Sequence, residues 1–257
     1  ASFLSQFTAF IGLCLMSVLP RVMGNTYLAI VISIMVYATG SGLMEVILSP
    51  MIEMLPTGNK SGNMAVLHSF YCWGQAVVIP VTTTLVFILG YKNWAFIPLI
   101  WAIVPFINMF MFLKVPIVEP DAEQKQSTFF ELLKTPKFAV YMVMMLCAGA
   151  SEIAMSQWSS LFVQTALGIP KAIGDVAGPC IFALFMASGR IIYAKFSKKV
   201  SFTRLLLWLN VLCVICYVMV AVCHIAVLSL IFCALCGLSV SISWPGIYSA
   251  GARSFKT

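Results

Sequence analysis

Residues 203–222 read TRLLLWLNVLCVICYVMVAV, and this run decides the fold class. It carries a single charge, at Arg204, in 20 residues. A helix needs about 20 mostly apolar residues to cross a bilayer, whereas barrel strands alternate in polarity and are only about 10 residues long. The run therefore predicts a membrane-spanning helix. Seven comparable runs lie at 3–19, 27–55, 64–89, 94–113, 138–165, 174–196 and 225–249.

The composition excludes a water-soluble protein. Of the 257 residues, 61% are apolar and only 9% are charged, against about 25% charged in an average soluble domain. These charges are too few to cover a soluble enzyme, and a disordered chain would be far more polar. Lipid offers the backbone no water to bond, which favours helices for spans of this length. We therefore predict an all-α, multi-pass membrane protein with about eight transmembrane helices.

The basic residues fall mainly on one side of the predicted topology. Loops alternate across the bilayer, and cytoplasmic loops carry the excess of Lys and Arg. One set of loops holds only Arg21, Lys92 and Lys171. The opposite set holds twelve basic residues: Lys60, Lys114, Lys125, Lys134, Lys137, Arg190, Lys195, Lys198, Lys199, Arg204, Arg253 and Lys256. We therefore expect the central linker and both chain ends to be cytoplasmic, in the cell inner (plasma) membrane, and the net charge of +7 implies no nucleic-acid partner.

A polar segment divides the chain. Residues 114–137 hold eight of the 23 charged residues and three prolines. We therefore predict an N-terminal half remnant of four spans at 1–113, a cytoplasmic linker at 114–137 and a C-terminal half remnant of four spans at 138–257. Within the linker, Thr128–Leu133 could form a short amphipathic helix or remain a solvated connection.

A spacing shared by two spans suggests an internal repeat. Gly42 precedes Pro50 by eight residues, and Gly237 precedes Pro245 by the same interval. Parallel halves are a common transporter design. The first motif lies in the second span of its half and the second in the fourth, so a repeat would fit six spans in each half, with this chain supplying helices 3–10 of twelve. Chance is the alternative, because Gly and Pro are frequent in membrane helices.

Two carboxylates lie deep in predicted spans, where ionisable groups are costly and indicate function. Glu45 lies one helical turn from both Ser41 and Ser49, and we predict that it takes up and releases a proton. The alternative is a structural carboxyl held by the neighbouring hydroxyls. Glu152 shares a helix face with Ser156, which predicts that this helix lines a wet cavity or packs against other helices.

Further polar and aromatic residues could line the same cavity. His68, Tyr71 and Gln75 recur at helical spacing, although His68 could instead cap a cytoplasmic helix end. Trp244 could stack on a sugar ring or belong to the interfacial aromatic belt. Arg190 begins a basic run that ends at Lys199, and it could pair with a carboxylate or anchor the helix at the interface.

The nine cysteines do not predict a metal site. Cys213-x-x-Cys216 and Cys233-x-x-Cys236 have zinc-ligand spacing, but both pairs lie within apolar helices. We interpret them as small apolar packing residues, and we predict neither a metal nor a cofactor. The sequence has no Gly-x-Ser-x-Gly, His-Glu-x-x-His or glycine-rich phosphate-loop motif, so enzymatic activity is not expected.

Four short motifs occur in order along the chain. Residues 42–56, with Gly42, Glu45, Pro50 and Pro56, resemble helix 4 of the fucose permease-like sugar:proton symporters of the major facilitator superfamily, although Ser49 stands where the family has Asn. The remaining motifs are 68–80 with His68, 149–158 with Glu152 and Trp158, and 244–249 with Trp244 and Pro245, which resemble helices 5, 7 and 10.

The resemblance implies a proton-coupled transporter for a small, sugar-like solute, working by alternating access as a monomer in the lipid bilayer. It implies that Glu45 exchanges the proton. Alternatives are a drug or metabolite antiporter of the same superfamily and a non-transporting receptor or scaffold. The predicted substrate-binding residues are Glu152, Gln75, Ser156, Trp244, Tyr71, His68 and Trp158.

Overall fold

The computed structural model describes residues 1–115, 129–223 and 225–255, and it describes no side chains for residues 129–130. All regular elements in these ranges are helices. They are α1 (Ser2–Val22), α2 (Thr26–Met54), α3 (Lys60–Leu89), a 3₁₀ helix (Tyr91–Phe96), α4 (Ile97–Met111), α5 (Phe129–Leu133), α6 (Pro136–Leu167), α7 (Lys171–Asp175), a π-helical turn (Val176–Cys180), α8 (Ile181–Phe196), α9 (Phe202–Val222), α10 (Ala226–Val240) and α11 (Ser243–Ser254).

The prediction of an all-helical protein with eight spans is confirmed. Eight helical segments of the described chain are long and apolar enough to cross a membrane. Their bounds are Ser2–Val22, Thr26–Met54, Lys60–Leu89, Tyr91–Met111, Pro136–Leu167, Lys171–Phe196, Phe202–Val222 and Ala226–Ser254. The largest difference at a helix start is in the third span, which begins at Lys60 rather than 64 because Asn59 Oδ1 accepts from the Gly62 amide over 3.1 Å and caps the helix.

The last span consists of two helices, whereas the sequence predicted one continuous run at 225–249. Helix α10 ends at Val240 and α11 begins at Ser243. Pro245 explains the break, because a proline has no amide hydrogen for the carbonyl four residues earlier and its ring crowds that carbonyl. The sixth span is also composite, since Pro179 lies in the π-helical turn between α7 and α8.

The predicted linker falls only partly within the described residues. A five-residue helix forms at Phe129–Leu133, where the sequence allowed a short helix over Thr128–Leu133. Thr128 itself, Lys125 and the acidic residues Glu119, Asp121 and Glu123 lie outside the described residues, as does Lys256 at the end of the chain. The proposed boundaries at 113 and 138 stay a prediction.

The chain separates into two compact units. The first comprises Ala1–Leu55 and Thr84–Pro120. In it α1 packs against α2 at close range, because a Cβ on Gly40 would lie 2.4 Å from the Ala9 amide nitrogen. Ser5 Oγ donates to the Gly40 carbonyl over 2.8 Å. Glycine is therefore required at this crossing.

The second unit comprises Pro56–Thr83 and Asp121–Thr257. Its largest apolar cluster includes Phe182 and Met186 of α8, both fully buried. The four cysteines with zinc-like spacing belong to this cluster, and each is at most 7% exposed. No group of three or more metal-binding side chains occurs among the residues described. The four cysteines therefore lie packed among apolar side chains, and the absence of a bound metal stays a prediction.

Candidate polar site within the second unit

The predicted functional residues fall into both units. Glu45 is in the first unit, where its side chain is exposed on α2. Neighbouring Ser49 is buried, and Ser41 Oγ donates to the Ala38 carbonyl of its own helix over 3.2 Å. The seven predicted substrate-binding residues all belong to the second unit.

Gln75 of α3 and Ser156 of α6 are in direct contact. Gln75 Nε2 donates to Ser156 Oγ over 2.7 Å. The other end of the amide, Gln75 Oε1, is buried and has no hydrogen-bond partner among the described residues. A buried polar atom without a partner is costly, so this carbonyl oxygen is an acceptor available to a bound hydroxyl or amine.

Glu152 of α6 and Arg190 of α8 form an ion pair in the interior of the unit. Arg190 Nη2 lies 3.0 Å from Glu152 Oε2, and the two side chains are 1% and 14% exposed. Each charge alone would be expensive to bury, so the pair exists because each ion compensates the other. Glu152 is one helical turn from Ser156, which places the ion pair beside the Gln75–Ser156 contact.

Arg190 also binds two backbone carbonyls. Its Nη1 atom lies 2.7 Å from the His68 carbonyl and 2.9 Å from Cys72 Sγ, both on α3. Its Nε atom donates to the Ser241 carbonyl over 2.9 Å. The guanidinium thus joins α3, α6 and the break between α10 and α11. Among the described residues Arg190 is the largest fully buried side chain, and these contacts compensate the cost of burying it.

Pro245 leaves the carbonyl that Arg190 binds without a partner in its own helix. Pro245 lacks the amide hydrogen that would otherwise reach Ser241 four residues earlier. The same occurs on α3, where Pro80 frees the Ala76 carbonyl and Cys180 Sγ lies 3.3 Å from it. The sixth span therefore supplies a side-chain donor to a proline-freed carbonyl in each of two neighbouring spans.

The aromatic residues and His68 differ in their surroundings. Trp244 is half-buried, and its Cζ3 atom lies 3.5 Å from where a Cβ on Gly149 would be, so its ring packs against α6. His68 Nε2 is buried with no hydrogen-bond partner among the residues described. Trp158 and Tyr71 are 63% and 60% exposed, and their assignment to the cavity wall stays a prediction.

One comparison with known proteins identifies the family. A family model described as Major Facilitator Superfamily matches residues 2–257. The chain belongs to the major facilitator superfamily. No curated protein matches the sequence.

Membership of the major facilitator superfamily makes this chain a multi-pass membrane transporter. Within the second unit, polar side chains of α3 and α6 face each other. Gln75, Ser156 and Glu152 present hydrogen-bonding groups, and Trp244 presents an apolar ring. The ion pair leaves this region with balanced charge.

The sequence alone did not settle the role of Arg190 in this transporter. The sequence allowed two roles for Arg190, pairing with a carboxylate or anchoring the helix at the interface. In the structure Arg190 pairs with the carboxylate of Glu152. The basic run that follows, with Lys195 and Lys198, made the anchor plausible. A distinguishing signal was present, because Arg190 lies six residues inside the C-terminal end of its span at Phe196.

Proposed function

We propose that this transporter takes up a small, neutral, sugar-like solute together with a proton, by alternating access. The observation that carries the proposal is the Gln75–Ser156 contact beside the Glu152–Arg190 ion pair. This arrangement offers hydrogen-bonding groups, and the opposite charges of Glu152 and Arg190 neutralise each other. Neutral polyhydroxylated solutes need many hydrogen bonds and no counter-charge.

The unpartnered atoms support a solute with hydroxyl groups. Gln75 Oε1 can accept a hydroxyl hydrogen, and His68 Nε2 can accept or donate according to its tautomer. Trp244 would offer its ring to the C–H face of a sugar. Trp158 and Tyr71 would complete the wall. A solute with a net charge would disturb the pairing of Glu152 with Arg190.

Glu45 is the proposed proton carrier. It is an acidic residue within a predicted span, on α2 of the first unit. A charged carboxylate within the hydrocarbon is costly unless it is neutralised. In this proposal Glu45 is therefore protonated when the solute moves. In this proposal residues 1–113 rock against 138–257, with the linker and chain ends on the cytoplasmic side, in a monomer in the inner (plasma) membrane.

A solute panel tests the proposal. Full-length protein in proteoliposomes with an inward proton gradient is offered labelled neutral hexoses, 6-deoxyhexoses and pentoses, with hexuronic acids and hexosamines as charged controls of similar size. We expect saturable uptake of at least one neutral sugar and none of its charged analogue. Accumulation of charged or bulky apolar compounds only would contradict a neutral sugar as the substrate. Uptake driven by an outward proton gradient would replace the symporter with an antiporter. Binding without uptake would indicate a receptor.

A further inference from the structure

The break in the last span leaves a backbone carbonyl that requires a donor. In a continuous helix the Ser241 carbonyl would bond the amide of residue 245, but Pro245 has none. Water cannot reach a carbonyl of this kind readily, since Ser241 is 1% exposed, and an unbonded buried carbonyl is costly. The two-helix form of this span therefore depends on a donor from another element.

Arg190 supplies that donor from α8. Its Nε hydrogen reaches the Ser241 carbonyl over 2.9 Å. Gly189 permits the approach, because a Cβ there would lie 2.5 Å from Ser241 Oγ and hold the two segments apart. The Gly189–Arg190 pair thus matches the break in both shape and hydrogen bonding.

The orientation of the guanidinium is fixed from its other end. Glu152 Oε2 holds Nη2 at 3.0 Å and the His68 carbonyl holds Nη1 at 2.7 Å. Because the guanidinium is planar and rigid, a shift of Nη2 towards or away from Glu152 also moves Nε relative to Ser241. The carboxylate and the break are therefore linked through one rigid group.

We propose that Arg190 is a positioning residue that transmits the state of Glu152 to the hinge between α10 and α11. While Glu152 is charged and bound to Arg190, the guanidinium holds the Ser241 carbonyl and fixes the break. When Glu152 turns to another partner or becomes neutral, Arg190 loses its strongest restraint and its bond to Ser241 weakens. The hinge then loosens.

In this proposal a looser hinge also changes the position of Trp244. Trp244 is the second residue of α11 and packs against α6 at Gly149, which lies one turn before Glu152. A change at Glu152 would therefore move the ring beside it by way of Arg190 and Ser241. The link involves only contacts within the second unit and does not depend on which solute is carried.

Hydrogen exchange on the full-length protein in nanodiscs tests this link without a solute. Glu152→Gln removes the charge at nearly constant volume, and Arg190→Lys keeps the charge but loses the fork. Pro245→Ala restores the missing amide, so that the Ser241 carbonyl can bond its own helix. Ser156→Ala is the matched control, because it alters the same face of α6 without a bond to Arg190.

We expect Glu152→Gln and Arg190→Lys each to speed exchange in peptides covering 241–250 by about tenfold, the factor that one lost charge-assisted hydrogen bond gives. In the Pro245→Ala background the same substitutions should change exchange there by less than about twofold. Ser156→Ala should leave this segment unchanged. If Arg190→Lys does not fold, the Glu152→Gln pair with and without Pro245→Ala gives the same comparison.

Two results would overturn the proposal. Equal acceleration in both backgrounds would mean that the ion pair only stabilises the unit and does not act through Ser241. Unchanged exchange at 241–250 in Glu152→Gln, with acceleration confined to α6 and α8, would mean that the hinge does not sense the carboxylate.

Discussion

Gln75 of α3 donates its amide hydrogen to Ser156 of α6 over 2.7 Å, while its carbonyl oxygen stays buried without a partner among the described residues. One half of the amide thus joins two helices, and in the proposed function the other half accepts a hydrogen bond from the solute. A substitution at Gln75 removes both atoms, whereas one at Ser156 removes only the helix contact, so the two together distinguish the roles of the atoms.

Gln75→Leu should weaken transport of a neutral sugar more than Ser156→Ala does. The leucine removes the free acceptor as well as the helix contact, and we expect KM to rise about tenfold, the value of one hydrogen bond to a ligand. Ser156→Ala leaves Oε1 in place and should raise KM by about twofold or less. Initial uptake rates over a range of sugar concentrations measure both. Equal effects of the two substitutions would show that Oε1 does not contact the sugar.

The buried ion pair should matter far more for stability than the exposed one. Glu152→Ala leaves Arg190 buried without its counter-ion, and we expect the free energy of unfolding to fall by about 3–5 kcal/mol. Lys171 pairs with Asp175 over 3.1 Å but is 55% exposed, so Lys171→Ala should cost about 0–1 kcal/mol. Thermal unfolding in detergent compares the two. Similar shifts in Tm for both variants would contradict the placement of Arg190.

The two glycines of the repeat-like motif should respond oppositely to alanine. A Cβ on Gly237 would lie 2.2 Å from the Phe182 carbonyl oxygen, whereas nothing lies within 4 Å of one on Gly42. Gly237→Ala should therefore destabilise by about 1–3 kcal/mol through overpacking. Gly42→Ala should be neutral or stabilise by about 0.5–1 kcal/mol through helix propensity. Tm values of the two variants in detergent measure these effects. An unchanged Tm in Gly237→Ala would contradict the close contact of α8 with α10.

The buried cysteines should behave as packing residues and not as metal ligands. Treatment with a strong chelator should leave Tm unchanged, and elemental analysis should find no stoichiometric zinc. Cys216→Ala should cost about 1 kcal/mol for the lost buried sulfur, while Cys147→Ala, at an exposed position, should cost nothing measurable. A chelator-dependent fall in Tm would restore the metal interpretation of the two Cys-x-x-Cys pairs.

The helices could be predicted from the sequence because the bilayer imposes a length and a polarity on every span. Eight runs gave eight spans. The sequence does not predict the break before Ser243, although Pro245 lies close to it. Proline alone does not decide the matter, since Pro50 lies inside the continuous helix α2. What distinguishes Pro245 is a donor from a distant part of the chain, and contacts between spans are not encoded in the periodicity of either one.

The candidate site was partly predictable for a similar reason. Gln75, Glu152 and Ser156 stood out because polar groups are costly in an apolar helix. Their pairing could not be predicted, because it depends on how α3 and α6 are rotated relative to each other. Arg190 was hidden by the basic residues that follow it. Its depth in the span and the carbonyl freed by Pro245 were the available signals.

Proton movement on addition of a transported neutral sugar tests the central claim most directly. A pH electrode or an external pH dye reports proton uptake by cells that express the full-length protein, with Glu45→Gln as the test variant and Glu131→Gln, in the short helix α5, as the control. We predict external alkalinisation with the wild type and the control, and none with Glu45→Gln. Sugar entry without any pH change, or with acidification, would contradict the account.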